Sequence, residues 1–335
     1  MIDKSNFNLL KYNTFGIEAK CNRFIELCSA EEAISILPSI YGTNFLLLGG
    51  GSNVLFNSDY SGTVIHSAIK GIEVNVSDND IYLRFGSGEN WDKFVEYCVD
   101  NQYYGTENLS LIPGDVGASA VQNIGAYGSE VKDIIYQVEA IEIESGKLVK
   151  FENSDCEYSY RHSRFKADWK NKYFITYVTY KLSRQFNPNI DYGNIRKALE
   201  AKSITNPSAQ ELREVIIGIR QEKLPDPEII GNAGSFFMNP IVTREKFESL
   251  LSIFPDMPHY KVDETREKIP AGWMIDKCGW KGKSLGNAGV HDKQALVLVN
   301  RGGATGKDIV KLCQTIQKDV LAKFGIEIKP EVNII

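Results

Sequence analysis

Apolar residues along the chain change period several times, and each change marks a boundary between predicted elements. Ser29-Ala30-Glu31-Glu32 reads as a capping box opening a short helix through Ile34 and Leu37, ended before Pro38. Phe45-Leu46-Leu47-Leu48 is a continuous apolar run, as in a buried strand, and leads into Gly49-Gly50-Gly51-Ser52-Asn53. Strands are predicted over 63–66, 71–76 and 81–85, with Ser77-Asp78-Asn79-Asp80 as the turn between the last two. Trp91, Phe94, Val95, Cys98 and Val99 then recur at helical spacing and form one apolar face. The first third therefore alternates strands and helices, in an α/β or α+β arrangement.

Residues 109–128 break the pattern: the stretch is irregular and holds four glycines, and long glycine-rich loops in compact domains usually serve function. Periodicity resumes in a hairpin of 134–143 and 147–151 across Glu144-Ser145-Gly146, and in a strand over 173–182. From Asn187-Pro188-Asn189 to Asn206-Pro207 the chain is turn-rich, before a helix over 209–220 with Leu212, Val215, Ile216 and Ile219 on one face. The stiff stretch Pro225-Asp226-Pro227 marks the expected main domain boundary. Beyond it, helices are expected over 244–253, 271–277 and 307–324, a strand over 295–300, and extended chain over 326–335.

Composition narrows the function classes. The chain has 335 residues, 43% hydrophobic and 24% charged, which suits an ordinary globular protein of two or three domains. A net charge of −5 argues against coating nucleic acid, so an anionic ligand must be met by local cations. The six cysteines (Cys21, Cys28, Cys98, Cys156, Cys278, Cys313) form no C-x-x-C pair, and Met1-Ile2-Asp3-Lys4 does not open a signal peptide. Free thiols in a reducing cytosol are therefore expected. His66, His162, His259 and His291 show no metal-ligand spacing, and no apolar run approaches membrane-spanning length.

Three stretches carry candidate chemistry. Gly231-Asn232-Ala233-Gly234-Ser235-Phe236-Phe237-Met238-Asn239-Pro240 delivers one hydroxyl, Ser235, between small residues and two aromatics, as either a site or a glycine-rich turn between strands. Its small-residue steps are expected to let backbone approach a ligand. Gly49 to Asn53 could form an anion-binding nest or a plain tight turn; it is neither a dinucleotide fingerprint nor a Walker loop. Residues 112–128 are dominated by small side chains, amides and hydroxyls, a composition able to thread beside a large planar cofactor.

In this order the motifs resemble the UDP-N-acetylenolpyruvoylglucosamine reductases, flavoenzymes that complete UDP-N-acetylmuramate in peptidoglycan precursor synthesis. The resemblance runs from Asn13-Thr14-Phe15-Gly16 through Gly50-Gly51-Ser52-Asn53, Ile112-Pro113-Gly114, Gln122-Asn123-Ile124-Gly125-Ala126-Tyr127-Gly128 and Tyr158-Ser159-Tyr160-Arg161. It continues in Lys223-Leu224-Pro225-Asp226-Pro227, the 231–240 stretch, Ala271-Gly272-Trp273-Met274-Ile275-Asp276, Lys281-Gly282 and Pro330-Glu331-Val332. The chain is also similar to the longer subtype, with an extra segment around 173–192 whose substrate-covering tyrosine maps onto Tyr192.

The resemblance implies an α+β chain: a two-part FAD-binding region of the PCMH/vanillyl-alcohol-oxidase-like superfamily (1–66 and 67–224), then a C-terminal α+β UDP-sugar domain (225–326) and a closing strand (327–335). It implies noncovalent FAD held by Gly49 to Asn53, Ile112 to Gly114, Gln122, Asn123, Gly125 and Ala126. NADPH is the implied co-substrate, UDP-N-acetylglucosamine enolpyruvate the implied substrate, and a cytoplasmic monomer the implied state. Hydride addition to an enolpyruvyl ether leaves an enolate to be stabilised and protonated. Arg161 would pair with the carboxylate, Glu331 would hydrogen-bond the enolate in its protonated form, and Ser235 would give the proton. Tyr127, Tyr192, Lys223, Asn239, Tyr260, Lys268 and Lys281 match substrate-contacting positions, with Arg220 one helical turn before Lys223. Met238 stands where relatives often carry lysine, so weaker attraction for phosphate or nicotinamide nucleotide is expected there.

Two other readings are weaker. Flavin oxidases of the same superfamily commonly attach flavin through histidine or cysteine, and neither residue occurs in 49–53 or 112–128. A non-catalytic UDP-sugar-binding protein could dispense with Arg161, Ser235 and Glu331 together, and all three are present.

Overall fold

The computed structural model describes residues 1–77 and 80–335, so the two central residues of the predicted turn at 77–80 lie outside the described residues. The chain forms two compact units. The first takes residues 1–7, 21–50 and 61–220; the second takes 8–20, 51–60 and 221–335. Two stretches from the N-terminal 66 residues thus pack with the C-terminal part, which a linear division of the chain does not anticipate.

The first unit is built on two sheets. One is ordered Ile2–Asn8, Lys20–Leu27, Tyr60–Ser67, Phe45–Leu48. The first two of these strands have no counterpart in the predicted elements. The other sheet is antiparallel, ordered Leu148–Glu152, Ile135–Glu142, Tyr173–Ser183, Asp80–Gly86, Ile72–Ser77. Residues 173–183 are thus its middle strand, and only 184–192 of the proposed extra segment leave the sheet. Helix α1 (Ala30–Ile40) packs Ala33, Leu37 and Ile40 against Ile25, Leu27 and Ile65 of one sheet and Ile141 and Phe174 by the other. Its N-cap is as expected, with the Ser29 hydroxyl accepting from the Glu32 amide at 3.2 Å. Its end is not: the helix runs through Pro38, because buried Leu37 and Ile40 hold the last turn despite the lost amide.

Helix α2 (Trp91–Asp100) lays Trp91, Phe94, Val95 and Cys98 on the five-stranded sheet, around the buried ring of Tyr180. The stretch 109–128 is not wholly irregular. It contains α3 (Val116–Gln122), started after Asp115 and ended by Asn123 in the left-handed conformation (φ 43°). Gly117 masks this helix in the sequence, yet it is required: a Cβ there would lie 2.7 Å from Ser87 Cβ. A second unpredicted helix, α4 (Ile195–Ala201), survives in the turn-rich region because Ile195 and Leu199 pack on α5 (Ala209–Lys223).

The second unit surrounds its longest helix, and its other helices are α6 (Arg244–Leu251) and α7 (Ala271–Lys277). The longest, α8 (Gly306–Phe324), buries Ile309, Leu312, Cys313, Ile316, Val320 and Phe324 along one stripe. Full burial of each large member contributes about 2 kcal/mol before conformational entropy is charged. A Thr305–Asp308 capping box starts α8, and Gly325 (φ 61°) stops it.

The stretch 231–235 is a strand rather than a turn. Gly231–Ser235 pairs antiparallel with Val297–Asn300, with a register irregularity between Asn232 and Ser235. Thr14 braces its other side: its carbonyl accepts the Asn232 amide at 2.9 Å, and its hydroxyl donates to the Asn232 carbonyl at 2.6 Å. The glycines here have separate causes. A Cβ on residue 231 would lie 2.1 Å from the Phe15 carbonyl oxygen, so that glycine admits protein backbone rather than a ligand. Gly234 has open space but a φ of +67°. Gly231→Ala is therefore expected to destabilise the protein by about 3 kcal/mol or more, as an overpacked core site does. Gly234→Ala should lose only about 1–2 kcal/mol, the left-handed backbone term. Thermal unfolding of both variants checks the order, and equal losses would contradict it.

Candidate active site

In the first unit the two glycine-rich stretches lie directly against each other. A side chain on Gly49 would come 3.1 Å from Ala118 Cβ, and one on Gly50 would come 3.1 Å from both Gly114 Cα and Asp115 Oδ1. The loop behind them is pinned by backbone bonds from Trp91 to Gly114 (2.9 Å), Val116 to Glu89 (2.8 Å) and Gly117 to Ser87 (2.9 Å). Asn123 is fully buried and its side chain is committed to protein. Its amide donates to the Ser159 carbonyl (2.8 Å) and Glu130 (3.3 Å), and its oxygen accepts from the Lys132 amide (3.1 Å). Gln122 accepts from Lys166 at 2.9 Å.

Arg161 has a positive φ (54°) and folds back onto this loop, donating to the carbonyls of Asn123 (3.3 Å) and Gly125 (2.8 Å). Its basic neighbours are engaged elsewhere: Arg164 pairs with Asp168, and Lys166 also donates to the Arg161 carbonyl. Arg220 lies within electrostatic range of Arg161 and Tyr127. Burial pulls its guanidinium below the ordinary value, Tyr127 and Asp92 pull it up, and Arg161 repels it. Its Nε is buried without a hydrogen-bond partner among the described residues. Burial raises the Tyr127 phenol, against the pull of Arg220. Tyr192 is 46% exposed and sits beside Gly128, its Cβ 3.1 Å from where a Gly128 side chain would begin. The structure thus brings Tyr127, Arg161 and Arg220 into one cationic cluster, with Tyr192 beside the Tyr127–Gly128 turn.

In the second unit Gly51 (φ 66°) presses on the Tyr12 carbonyl, and Ser52-Asn53 leads into Val54–Leu55, which pairs parallel with Asn333–Ile334. The chain end is thereby drawn across the 231–240 stretch. The Glu331 amide donates to the Phe236 carbonyl at 2.8 Å, and the Met238 amide donates to the Lys329 carbonyl at 2.9 Å. Phe236 and Phe237 are buried in the core, whereas Ser235 is exposed. Its hydroxyl has no hydrogen-bond partner among the described residues. Nothing in the structure explains Met238.

The remaining predicted side chains fall on separate elements of this unit. Tyr260 and Lys268 stand opposite each other in a small sheet, the ammonium 5.6 Å from the ring centroid. Asn239 accepts the Ala271 amide at 2.9 Å and so helps start α7. Lys281 is 3.7 Å from Asp276, and exposed Lys223 closes α5.

Residues 226–335 match the family model described as UDP-N-acetylenolpyruvoylglucosamine reductase, C-terminal domain, and residues 23–152 match the model of an FAD binding domain. The UDP-N-acetylenolpyruvoylglucosamine reductase of Bacteroides fragilis is 54% identical over 334 residues, covering 99% of this chain and 100% of that one. The Flavobacterium johnsoniae protein of the same name is 47% identical, covering 99% of each. The chain belongs to the UDP-N-acetylenolpyruvoylglucosamine reductase family. The crystal structure of UDP-N-acetylenolpyruvylglucosamine reductase from Thermus caldophilus covers 99% of this chain and 98% of its own, with a TM-score of 0.68 at 20% identity, and so shares the fold. As a member of this reductase family the chain is an α+β, FAD-dependent oxidoreductase.

The first unit fits the flavin of this reductase family on its own geometry. Gly49, Gly50, Gly114 and Gly125 are partly exposed backbone without side chains, and a side chain on Gly125 would come 3.1 Å from Arg161. Sequence reasoning passed over Asp115 inside the I-P-G-D-V-G run, because its letter says nothing of burial. Its carboxyl accepts no hydrogen bond among the described residues, and burial pushes it up to about 6 against the pull of His66 and Lys70. A carboxyl raised above its unfolded value stabilises the fold below pH 4, and that contribution is lost as pH rises through about 6. Asp115→Asn should therefore raise the thermal midpoint of the FAD-free protein at pH 7.5, by the equivalent of about 1–2 kcal/mol. The gain should vanish near pH 4. A gain independent of pH would remove burial of charge as the cause.

Proposed function

We propose that the protein reduces UDP-N-acetylglucosamine enolpyruvate to UDP-N-acetylmuramate with electrons from NADPH, in peptidoglycan precursor synthesis, as a cytoplasmic monomer. Residues 1–66 and 67–224 act as the two flavin-binding parts, 225–326 as the UDP-sugar domain, and 327–335 as the strand bearing Glu331. Among the described residues no helix is long and apolar enough to cross a membrane, and no His, Cys, Asp and Glu cluster could hold a metal ion. FAD, when bound, would supply the hydride chemistry that links NADPH to the enolpyruvyl substrate.

The observation that carries the reading is the Glu331–Phe236 backbone bond, which ties the acid-bearing residue to the neighbour of an exposed serine. Ser235 gives its hydroxyl proton to the carbon beside the carboxylate and regains one from water. A serine is a weak acid in water, and a basic enolate held close supplies the driving force. Glu331, protonated, hydrogen-bonds the enolate oxygen. Arg161 pairs with the carboxylate through a planar guanidinium already oriented by two carbonyls. Tyr127 and Tyr192 cover the sugar, while Lys223, Asn239, Tyr260, Lys268 and Lys281 hold the diphosphate and uridine. Gly49 to Asn53, Ile112 to Gly114, Gln122, Gly125 and Ala126 hold the flavin noncovalently, with Asn123 acting through the backbone turn its side chain secures.

The purified protein should be yellow with FAD, release it on denaturation, and bleach on NADPH. The colour should return when UDP-N-acetylglucosamine enolpyruvate is added. Ser235→Ala should keep the bleaching rate within about twofold and slow reoxidation by substrate by about 10³-fold or more. Equal loss in both half-reactions would instead assign Ser235 a structural role. Flavin that stays attached after denaturation would overturn the cofactor reading.

A further inference from the structure

The hairpin bearing Tyr260 and Lys268 rests on a buried charge that the reaction does not use. Three short strands, Ile241–Thr243, Arg266–Lys268 and Tyr260–Lys261, form this sheet, with Arg266–Lys268 in the middle. Ile241 and Tyr260 pair with Lys268, so alternation places these three residues on one face. Val242 and Lys261 pair with Glu267, which therefore points to the other face and is only 2% exposed. An apolar residue is the ordinary occupant of such a position.

The Glu267 carboxylate accepts from His259 Nδ1 at 3.1 Å and lies 3.7 Å from an Arg244 guanidinium nitrogen. His259 immediately precedes Tyr260, and its ring packs on Phe247 of α6 with centroids 4.4 Å apart. Arg244 is the first residue of α6, and its amide donates to the Thr265 carbonyl at 2.8 Å. The edge strand Tyr260–Lys261 has two residues, too few to hold its own position. A buried carboxylate whose imidazole partner stands beside Tyr260 and whose guanidinium partner opens α6 is satisfied only when both elements are in place.

We propose that Glu267, through His259 and Arg244, is a positioning residue that sets the Tyr260–Lys268 face for the uridine diphosphate end of the substrate. This rests on the reading of Tyr260 and Lys268 as substrate contacts. Glu267 touches no substrate; removing its charge frees the edge strand and lets Tyr260 drift from Lys268.

The test uses the FAD-loaded protein. Glu267→Gln should raise KM for the enolpyruvyl substrate about tenfold, leave kcat within about twofold, and leave flavin reduction by NADPH unchanged. His259→Leu, which keeps an apolar group against Phe247, should raise KM in the same sense by about threefold. UDP binding by calorimetry then closes a double-mutant cycle with Lys268→Met. If Glu267 acts through the hairpin face, the double variant should bind UDP little worse than Lys268→Met alone. Losses that multiply, or a folded Glu267→Gln with unchanged KM, overturn the proposal while leaving the site reading intact. A Lys268→Met variant that binds UDP as tightly as the parent overturns both.

Discussion

Backbone pressed on backbone holds up the chemistry of the second unit. The Phe15 carbonyl fills the space that a side chain on residue 231 would need, and Thr14 both accepts from and donates to Asn232. Asn13 makes that turn rigid, since its side chain donates to the Leu9 and Ile17 carbonyls and accepts the Ile17 amide, all at 2.9 Å. With Val297–Asn300 on the opposite edge, the strand has no freedom to slide. Its one irregularity, between Asn232 and Ser235, re-aims the chain as bulges do, and Ser235 emerges exposed while Phe236 and Phe237 stay in the core. The chain end then pairs across Phe236 and Val54, so Glu331 inherits the same frame.

The first unit solves a different problem, that of concentrating positive charge in an acidic protein. Like charges within a few ångströms repel, and desolvation adds to the cost for a guanidinium with an unsatisfied buried nitrogen. Arg161 is compensated by two loop carbonyls. Arg220 feels the favourable charges of Tyr127 and Asp92. Asp92 is itself taken in a two-point pair by Arg213 at 2.8 and 3.0 Å. Burial and repulsion by Arg161 together hold the Arg220 guanidinium below its ordinary value.

Strong periodicity survived the passage from sequence to structure. The face of α2, the hairpin across 144–146, the strand at 173 and the long C-terminal helix all form where the apolar pattern put them. What was illegible has physical causes. Gly117 hid α3, because a glycine chosen for contact with Ser87 reads as a helix breaker. Pro38 reads as a stop, yet two buried side chains outweigh one missing amide. Helix α4 is short and relies on tertiary partners, and the first two strands mix charged and polar residues with their apolar ones. The motif Asn13-Thr14-Phe15-Gly16 was visible as a string, but its task of bracing residues 231 and 232 depends on a contact between distant parts of the chain. Likewise the glycine at 231 reads as ligand clearance, whereas its nearest neighbour is the Phe15 backbone.

Carboxylates were the least legible residues, since the letter carries no record of surroundings. Asp115 and Glu267 are both withdrawn from water. Neither Glu267 in Arg266-Glu267-Lys268 nor Asp115 stands out in the sequence. In the fold Glu267 meets His259 and Arg244, while Asp115 meets the glycine backbone and only the distant pull of His66 and Lys70. A carboxylate with close donors ties elements together, while burial without them pushes the Asp115 carboxyl up to about 6. Partner geometry decides the difference, and partners come from elsewhere in the chain. Pattern reading along one strand or loop therefore finds nucleophile-like serines and basic runs more readily than the acids that position them.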